Sequence, residues 1–296
     1  MNVVTQTTTS YDEALDPVLE IKSGDTVIFD APDCWGNQLR DESVLKGDLY
    51  RQGLAMNPCC GPVAVAGAEP GDTVKITVQG IDVADTGRLA IYREEFGVLS
   101  RYLDRDQTVV VPVKDGVITL HDKFSIKANP MLGVIAVTPA GDPQGTLLSG
   151  RYGGNIDCNL VTRGTVVYLP VLVPGAKIIT GDVHAIQGDG EVLASLEVAA
   201  RITLKVELIK GRQEQWPVLE TDDAWYVITS GLTADEANAL ALEAMADFLT
   251  RRGRNSNLEW LTLMGLVGDA ELCKVVDTFK TSRFGMQKTY TESLAF

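Results

Sequence analysis

Glu191-Val-Leu-Ala-Ser-Leu-Glu-Val-Ala-Ala-Arg-Ile-Thr-Leu-Lys-Val-Glu-Leu-Ile209 is the longest alternating stretch of the chain. Val192, Ala194, Leu196, Val198, Ala200, Ile202, Leu204, Val206 and Leu208 share one parity; Glu191, Ser195, Glu197, Arg201, Thr203, Lys205 and Glu207 share the other. Successive side chains of a strand point to opposite faces, so this pattern predicts a long antiparallel strand, or two joined by a bend, with one face on a core. The same signature recurs upstream. Residues 18–29 read as strand, Ser23-Gly24-Asp25 turn, strand, and Val74, Ile76 and Val78 alternate with Lys75 and Thr77 after the Pro70-Gly71 turn. Further strands are expected at 108–113, 117–120, 131–137, 165–172 and 176–184.

Helices appear only late. Thr233-Ala-Asp-Glu236 opens one as a capping box, followed by the stripe Ala237, Leu240, Ala241, Ala244 and Phe248 and a stop at Gly253. Ser256-Asn-Leu-Glu259 opens a second through Trp260, Leu263 and Met264, and a short third is expected over 269–276. The fold class that follows is mainly β, sandwich- or barrel-like, with a C-terminal α+β portion. Residues 1–210 form the β-rich region and 211–296 the α+β region, helical over about 233–277.

The chain has 296 residues, with 26 Lys and Arg against 40 Asp and Glu, a formal charge of −14. Such a surface repels phosphate backbones and anionic lipid, which argues against nucleic-acid and membrane roles. No apolar run approaches the ~20 residues of a bilayer span, and the polar start carries Asp12 and Glu13 where a signal peptide needs apolar residues. Five scattered cysteines make a poor disulfide framework, so a cytoplasmic protein with reduced thiols is expected.

The densest polar stretch is Gly181-Asp-Val-His-Ala-Ile-Gln-Gly-Asp-Gly-Glu191. Asp182 and His184, two apart at a strand end, project from one face, and Glu191 lies just beyond a glycine-bearing loop. Asp157, after Gly153-Gly-Asn-Ile, offers another carboxylate. Two or three oxygens and an imidazole nitrogen suit a divalent ion. Spacing alone leaves three readings open: a metal set, a turn in which the aspartates bond backbone amides, or a calcium-type loop.

This segment, together with Gly153-Gly-Asn-Ile-Asp157 and Leu169-Pro-Val-Leu-Val-Pro-Gly-Ala176, resembles the acetamidase/formamidase family. Asn57-Pro-Cys-Cys-Gly-Pro62, Pro130-Met-Leu-Gly-Val-Ile-Ala-Val-Thr-Pro139 and Ser23-Gly-Asp-Thr-Val27 with Asp33 resemble further family blocks in the family's order. The resemblance implies hydrolysis of short linear amides to carboxylate and ammonia, by a homodimer or higher homo-oligomer. It also implies a divalent metal, zinc first with calcium or manganese as alternatives, on Asp157, Asp182, His184 and Glu191. Gln187 and Asp189 fall in the same loop, and Asn57 and Asp33 are implied to line the pocket. Where the family reads Asn-Pro-Ala-Thr-Gly-Pro this chain has Cys59-Cys60, which argues against those thiols as the family's nucleophile.

A metal polarises the amide carbonyl and activates water, while a carboxylate outside its shell, Glu191 or Asp157, carries the proton to the leaving nitrogen. Two alternatives remain at this point. One is a cysteine route using Cys158, Cys59 or Cys60 with His184 as base, His121 reading as an exposed loop residue. The other is a non-enzymatic β-rich metal- or small-molecule-binding oligomer, with the tail from Thr278, including Arg283, Phe284, Met286 and Tyr290, as a subunit interface.

Overall fold

The computed structural model describes residues 2–95, 97–292 and 294. Two large sheets face each other. The first has nine strands in the order Asn2–Val4, Thr26–Ala31, Ala200–Ile209, Thr73–Val83, Val166–Pro170, Val218–Glu220, Ala224–Gly231, Lys280–Gln287 and Asp269–Lys274. The second runs Ser149–Gly150, Gly153–Asn155, Met131–Ala136, Ile178–His184, Cys59–Val65 and Thr7–Thr8, with Leu19–Ile21 parallel to Cys59–Val65.

Their inner faces make one core. Val74, Ile76, Val78, Ile202, Leu204 and Val206 come from the first sheet and meet Val63, Val134 and Ile178 of the second. Each such side chain, fully buried, contributes about 1.5–3 kcal/mol. Alternation is therefore legible in the first sheet. The strands Met131–Ala136, Ile178–His184 and Cys59–Val65 are buried at every position, which is why they read as apolar runs. The repeated Gly-Asp-Thr-Val words serve one purpose: Gly24 and Gly71 take positive φ (96° and 102°) in turns that each lead into a strand of the nine-stranded sheet.

The stretch 191–209 departs from expectation. Only Ala200–Ile209 is regular strand, flanked by Thr26–Ala31 and Thr73–Val83. Residues 191–199 are irregular because the backbone around Glu197 is captured by two neighbours, bridging to Arg88 on one side and His184 on the other. Arg88 N donates to Glu197 O at 2.8 Å and Glu197 N to Arg88 O at 3.0 Å. Leu196, Glu197 and Val198 are all buried, so parity fails there.

The helices Ala234–Arg252 and Asn257–Val267 form as expected. Thr233 Oγ1 caps Glu236 N, while the Glu236 carboxylate reaches Leu232 N instead of closing the box; Ser256 and Glu259 close theirs completely. Ala241, Met245, Phe248 and Leu249 pack on Trp225, Val227, Phe284 and Met286. The expected third helix is a strand, Asp269–Lys274, so the helical span ends at Val267. Pairing with Lys280–Gln287 overrides local propensity there. Arg283, Phe284 and Met286 are buried in that partner strand and are not an exposed tail; Tyr290 is exposed. Residues 293, 295 and 296 of that tail lie outside the described residues. Among the described residues no helix is long and apolar enough to cross a membrane.

Candidate active site

The Ile178–His184 strand delivers Asp182 and His184, the segment before Cys59–Val65 delivers Asn57, and the turn after Gly153–Asn155 delivers Asp157. Four of the converging residues have left-handed backbone: Asn57 (φ 59°), Asp157 (42°), Asp182 (53°) and Glu191 (40°). Asn and Asp tolerate this region, Glu much less, and the cost of about 1 kcal/mol per residue is borne where side-chain direction matters. Gly133, on the adjacent strand, leaves the space they need. A Cβ there would lie 2.5 Å from Asp157 Oδ1 and 2.7 Å from Asp182 Oδ2.

His184 is fully buried at the centre. Gln187 donates through Nε2 to Asp157 O (2.6 Å) and Cys273 O (3.3 Å), which turns its Oε1 toward His184 Nδ1 at 2.8 Å. Nδ1 therefore carries the proton, and Nε2 faces carboxylates: Glu197 Oε1 at 3.0 Å, Asp182 Oδ1 at 3.6 Å and Asp157 Oδ1 at 4.0 Å. A neutral ring would set lone pair against lone pairs, so a second proton or a cation belongs between them. Burial pushes the His184 pKa down, but Glu197 and Asp182 outweigh it and raise it.

The carboxylates are strained electrostatically. Burial lifts Asp157 to about 6 and Glu197 to about 8, and burial with help from Asp157 also raises Glu191 well above its usual value. Asp182 resists: burial raises it, but His184 and the Asn57 amide, 3.0 Å from Oδ2, hold it below its usual value. Lys274 is fully buried and offsets part of this charge. Its Nζ lies 2.9 Å from Asp157 Oδ2 and donates to Asn155 O at 2.6 Å. Burial alone would depress the Lys274 pKa, yet Asp157, Asp277 and Glu191 raise it.

Several buried atoms at this point make no hydrogen bond: Asp157 Oδ1, His184 Nε2, Glu191 Oε2, Glu197 Oε2 and Asn57 Oδ1. Buried polar atoms are almost always paired, so unpaired donors and acceptors converging on one place mark a ligand position. Ligand atoms of Asp157, His184 and Glu191 all lie within 4.8 Å of one another. Oxygen and imidazole donors of this kind fit a divalent metal ion. The site opens into a cavity of about 230 Å³ whose wall includes Trp35, Met56, Ala90, Leu147 and Val276, with Lys46 and Tyr50 also lining it.

The resemblance implied Asp157, Asp182, His184 and Glu191 as a metal set, with Asn57 and Asp33 lining the pocket; the first four and Asn57 line this cavity. Asp33 does not: its Oδ1 accepts from Trp35 N (3.1 Å) and Asn37 N (2.6 Å) and shapes a turn. Glu197 and Lys274 were missed. Glu197 sat on the polar parity of an apparent strand, and Lys274 in an expected helix. The only signal was a charge inside apolar neighbours, in Leu196-Glu-Val198 and Cys273-Lys-Val275. Cys59 and Cys60 are fully buried and donate to Asn57 O and Asp30 O; burial raises both thiols. Cys158 is held near 7, first by its bond to Cys273 and against burial, with Arg283 assisting. None of these three lines the cavity, whereas Cys34 does. His121 is exposed.

The profile of the Acetamidase/Formamidase family matches residues 4–145 and 140–276. A crystal structure of an acetamidase from Bacillus halodurans is 34% identical, superposes with a TM-score of 0.95, and covers 99% of this chain and 100% of that one. A predicted acetamidase/formamidase from Thermoanaerobacter tengcongensis is 32% identical with a TM-score of 0.92, covering 99% and 97%. A formamidase of Methylophilus methylotrophus is 33% identical over 116 residues, 36% of this chain and 28% of that protein. The matched part is less than two thirds of the length of each curated relative. The chain belongs to the acetamidase/formamidase family.

Proposed function

We propose that the chain hydrolyses short linear amides of the formamide and acetamide type to carboxylate and ammonia, in the cavity above His184. The observation that carries this reading is the convergence of unpaired buried Asp157 Oδ1, His184 Nε2, Glu191 Oε2 and Glu197 Oε2 in a family of amide-hydrolase name. His184, Asp182 and Asp157 would hold a divalent cation, zinc first, and Glu197 would join them, its Oε1 being the carboxylate oxygen nearest to His184 Nε2. Such an ion supplies Lewis-acid polarisation of the amide carbonyl and a more acidic water.

The remaining steps belong to the protein. Ser195 Oγ donates to Glu191 Oε1 at 2.9 Å and fixes that carboxylate, leaving Oε2 free. Glu191 Oε2 takes the proton of the attacking water and returns it to the departing nitrogen, a task that suits a carboxyl whose pKa burial has raised. Gln187 holds the His184 ring and Lys274 holds Asp157. The apolar wall of Met56, Ala90, Leu147 and Val276 receives the acyl group and keeps bulk water away.

Homo-oligomeric assembly is part of the proposal. Leu258, Leu261 and Leu266 stand 75%, 54% and 76% exposed along one helix, apolar side chains that a second copy of the chain would cover. Light scattering tests it, and a monodisperse monomer would refute it. Cytoplasmic residence is proposed from the unpaired cysteines.

The test of the activity is ammonia release from formamide, acetamide and longer aliphatic amides by wild type and by His184→Ala. Turnover by the first and its loss in the second is expected. No ammonia from any amide, with metal bound, refutes the assignment.

A further inference from the structure

Cys34 is the thiol in the cavity wall, and the activity proposed above does not use it. Its main chain is fixed from both sides. Asp33 Oδ1 ties the turn through Trp35 N and Asn37 N, and Asn57 N donates to Cys34 O at 2.8 Å. The side chain is thereby brought against the carboxylates: ligand atoms of Cys34, Asp182 and Glu197 all lie within 4.8 Å of one another. Asp182 and Glu197 are also the two carboxylates nearest to His184 Nε2. Sulfur and imidazole thus approach the same pair of carboxylates. Glu197, more than nine-tenths buried, keeps its Oε2 without a hydrogen bond there.

We propose that Cys34 binds the cation as a thiolate, so that the site is a mixed sulfur, nitrogen and oxygen centre selective for zinc-class ions over calcium, magnesium or manganese. This rests on the cation reading above and goes beyond it by fixing the class of ion. Thiolate is a soft ligand that hard, oxygen-seeking cations do not favour, whereas zinc accepts sulfur, nitrogen and oxygen together. On binding, the S–H bond is exchanged for a sulfur–metal bond and the proton leaves to solvent, so one proton is released for that ligand. The arrangement also accounts for Asp33. It stays outside the cavity and positions the loop that presents Cys34.

The experiment uses cobalt(II) as a spectroscopic probe, added to the full-length protein after removal of its own metal, with bound cobalt counted by elemental analysis. Wild type is expected to show an intense near-ultraviolet sulfur-to-cobalt charge-transfer band alongside the weaker visible bands. Cys34→Ser is expected to bind cobalt, lose the charge-transfer band and lose at least 10-fold of its preference for cadmium over manganese. Cobalt bound by wild type without that band overturns the thiolate and leaves the oxygen and nitrogen site standing. A band that persists in Cys34→Ser overturns it too, since another thiol is then responsible. Failure of wild type to bind cobalt at all overturns both readings. X-ray absorption of the wild type loaded with zinc decides the matter without any variant: a sulfur scatterer in the shell is expected, and a shell of oxygen and nitrogen alone contradicts the proposal.

Discussion

Glu197 stands directly opposite His184 across an isolated antiparallel bridge, with Oε1 3.0 Å from Nε2. Directly opposed residues are the closest side-chain neighbours two strands offer, so the pairing is dictated by backbone register. Ala185 N bonds Leu196 O at 2.8 Å and Val198 N bonds Val183 O at 2.9 Å, fixing that register from both sides. Glu197→Gln keeps the shape and removes the charge. The expected result is at least 10-fold weaker zinc binding and a matching loss of ammonia release, measured by competition with a chromophoric chelator and by amide turnover.

Lys274 and Asp157 form a buried ion pair at 2.9 Å. Removing one partner leaves an uncompensated buried charge, so Lys274→Met is expected to destabilise the fold by about 3–5 kcal/mol. The double variant Lys274→Met with Asp157→Asn removes both charges and should recover much of that loss while remaining inactive. Urea unfolding of the two variants, beside activity, checks both halves of the statement.

Gly133 has no room for a methyl group beside Asp157 and Asp182. Gly133→Ala is expected to displace those carboxylates at a cost of about 1–3 kcal/mol. Metal content and turnover should fall together, with the far-ultraviolet dichroism of the folded chain retained.

Asp72 lies far from this chemistry and sets an acid limit on the fold. It accepts from Lys210 Nζ (2.6 Å), Gly211 N (2.8 Å) and Glu69 N (2.8 Å), tying the 209–212 turn to the Glu69–Asp72 turn. Burial raises its pKa, but these bonds outweigh burial and the net shift is downward. The unfolded chain then takes up the proton first as pH falls. The stabilisation is complete above the unfolded carboxylate value of about 4 and is lost as pH drops through the folded one. Asp72→Asn should therefore lower the urea midpoint at neutral pH and narrow its difference from wild type in acid.

Sandwich architecture was legible because one sheet has a core face and a polar face, as Val74 to Val78 and Ala200 to Val206 display. The C-terminal strands were not. Asp269–Lys274 becomes strand by forming a hairpin with Lys280–Gln287, which is itself held on its other side by Ala224–Gly231, so the sheet decides what local propensity does not encode. In the site, Asp182, His184 and Glu191 were legible as a compact polar word, and Asp157 through its glycine-rich approach. Glu197 was hidden by its own regularity. It continues an alternating run, and only the double bridge to Arg88 and His184 reveals that its face is buried. Lys274 comes from the C-terminal part of the chain, far along the sequence from Asp157, and their partnership is purely tertiary.

The central claim is that one dication at His184 drives amide turnover. The direct measurement removes metal with a chelator, dialyses the chelator away, and titrates zinc back while following both ammonia release and bound zinc. Activity should vanish on removal and return linearly, breaking at one equivalent per chain, with His184→Ala showing neither binding nor recovery. Undiminished turnover by protein that holds far less than one equivalent of any metal would contradict the account.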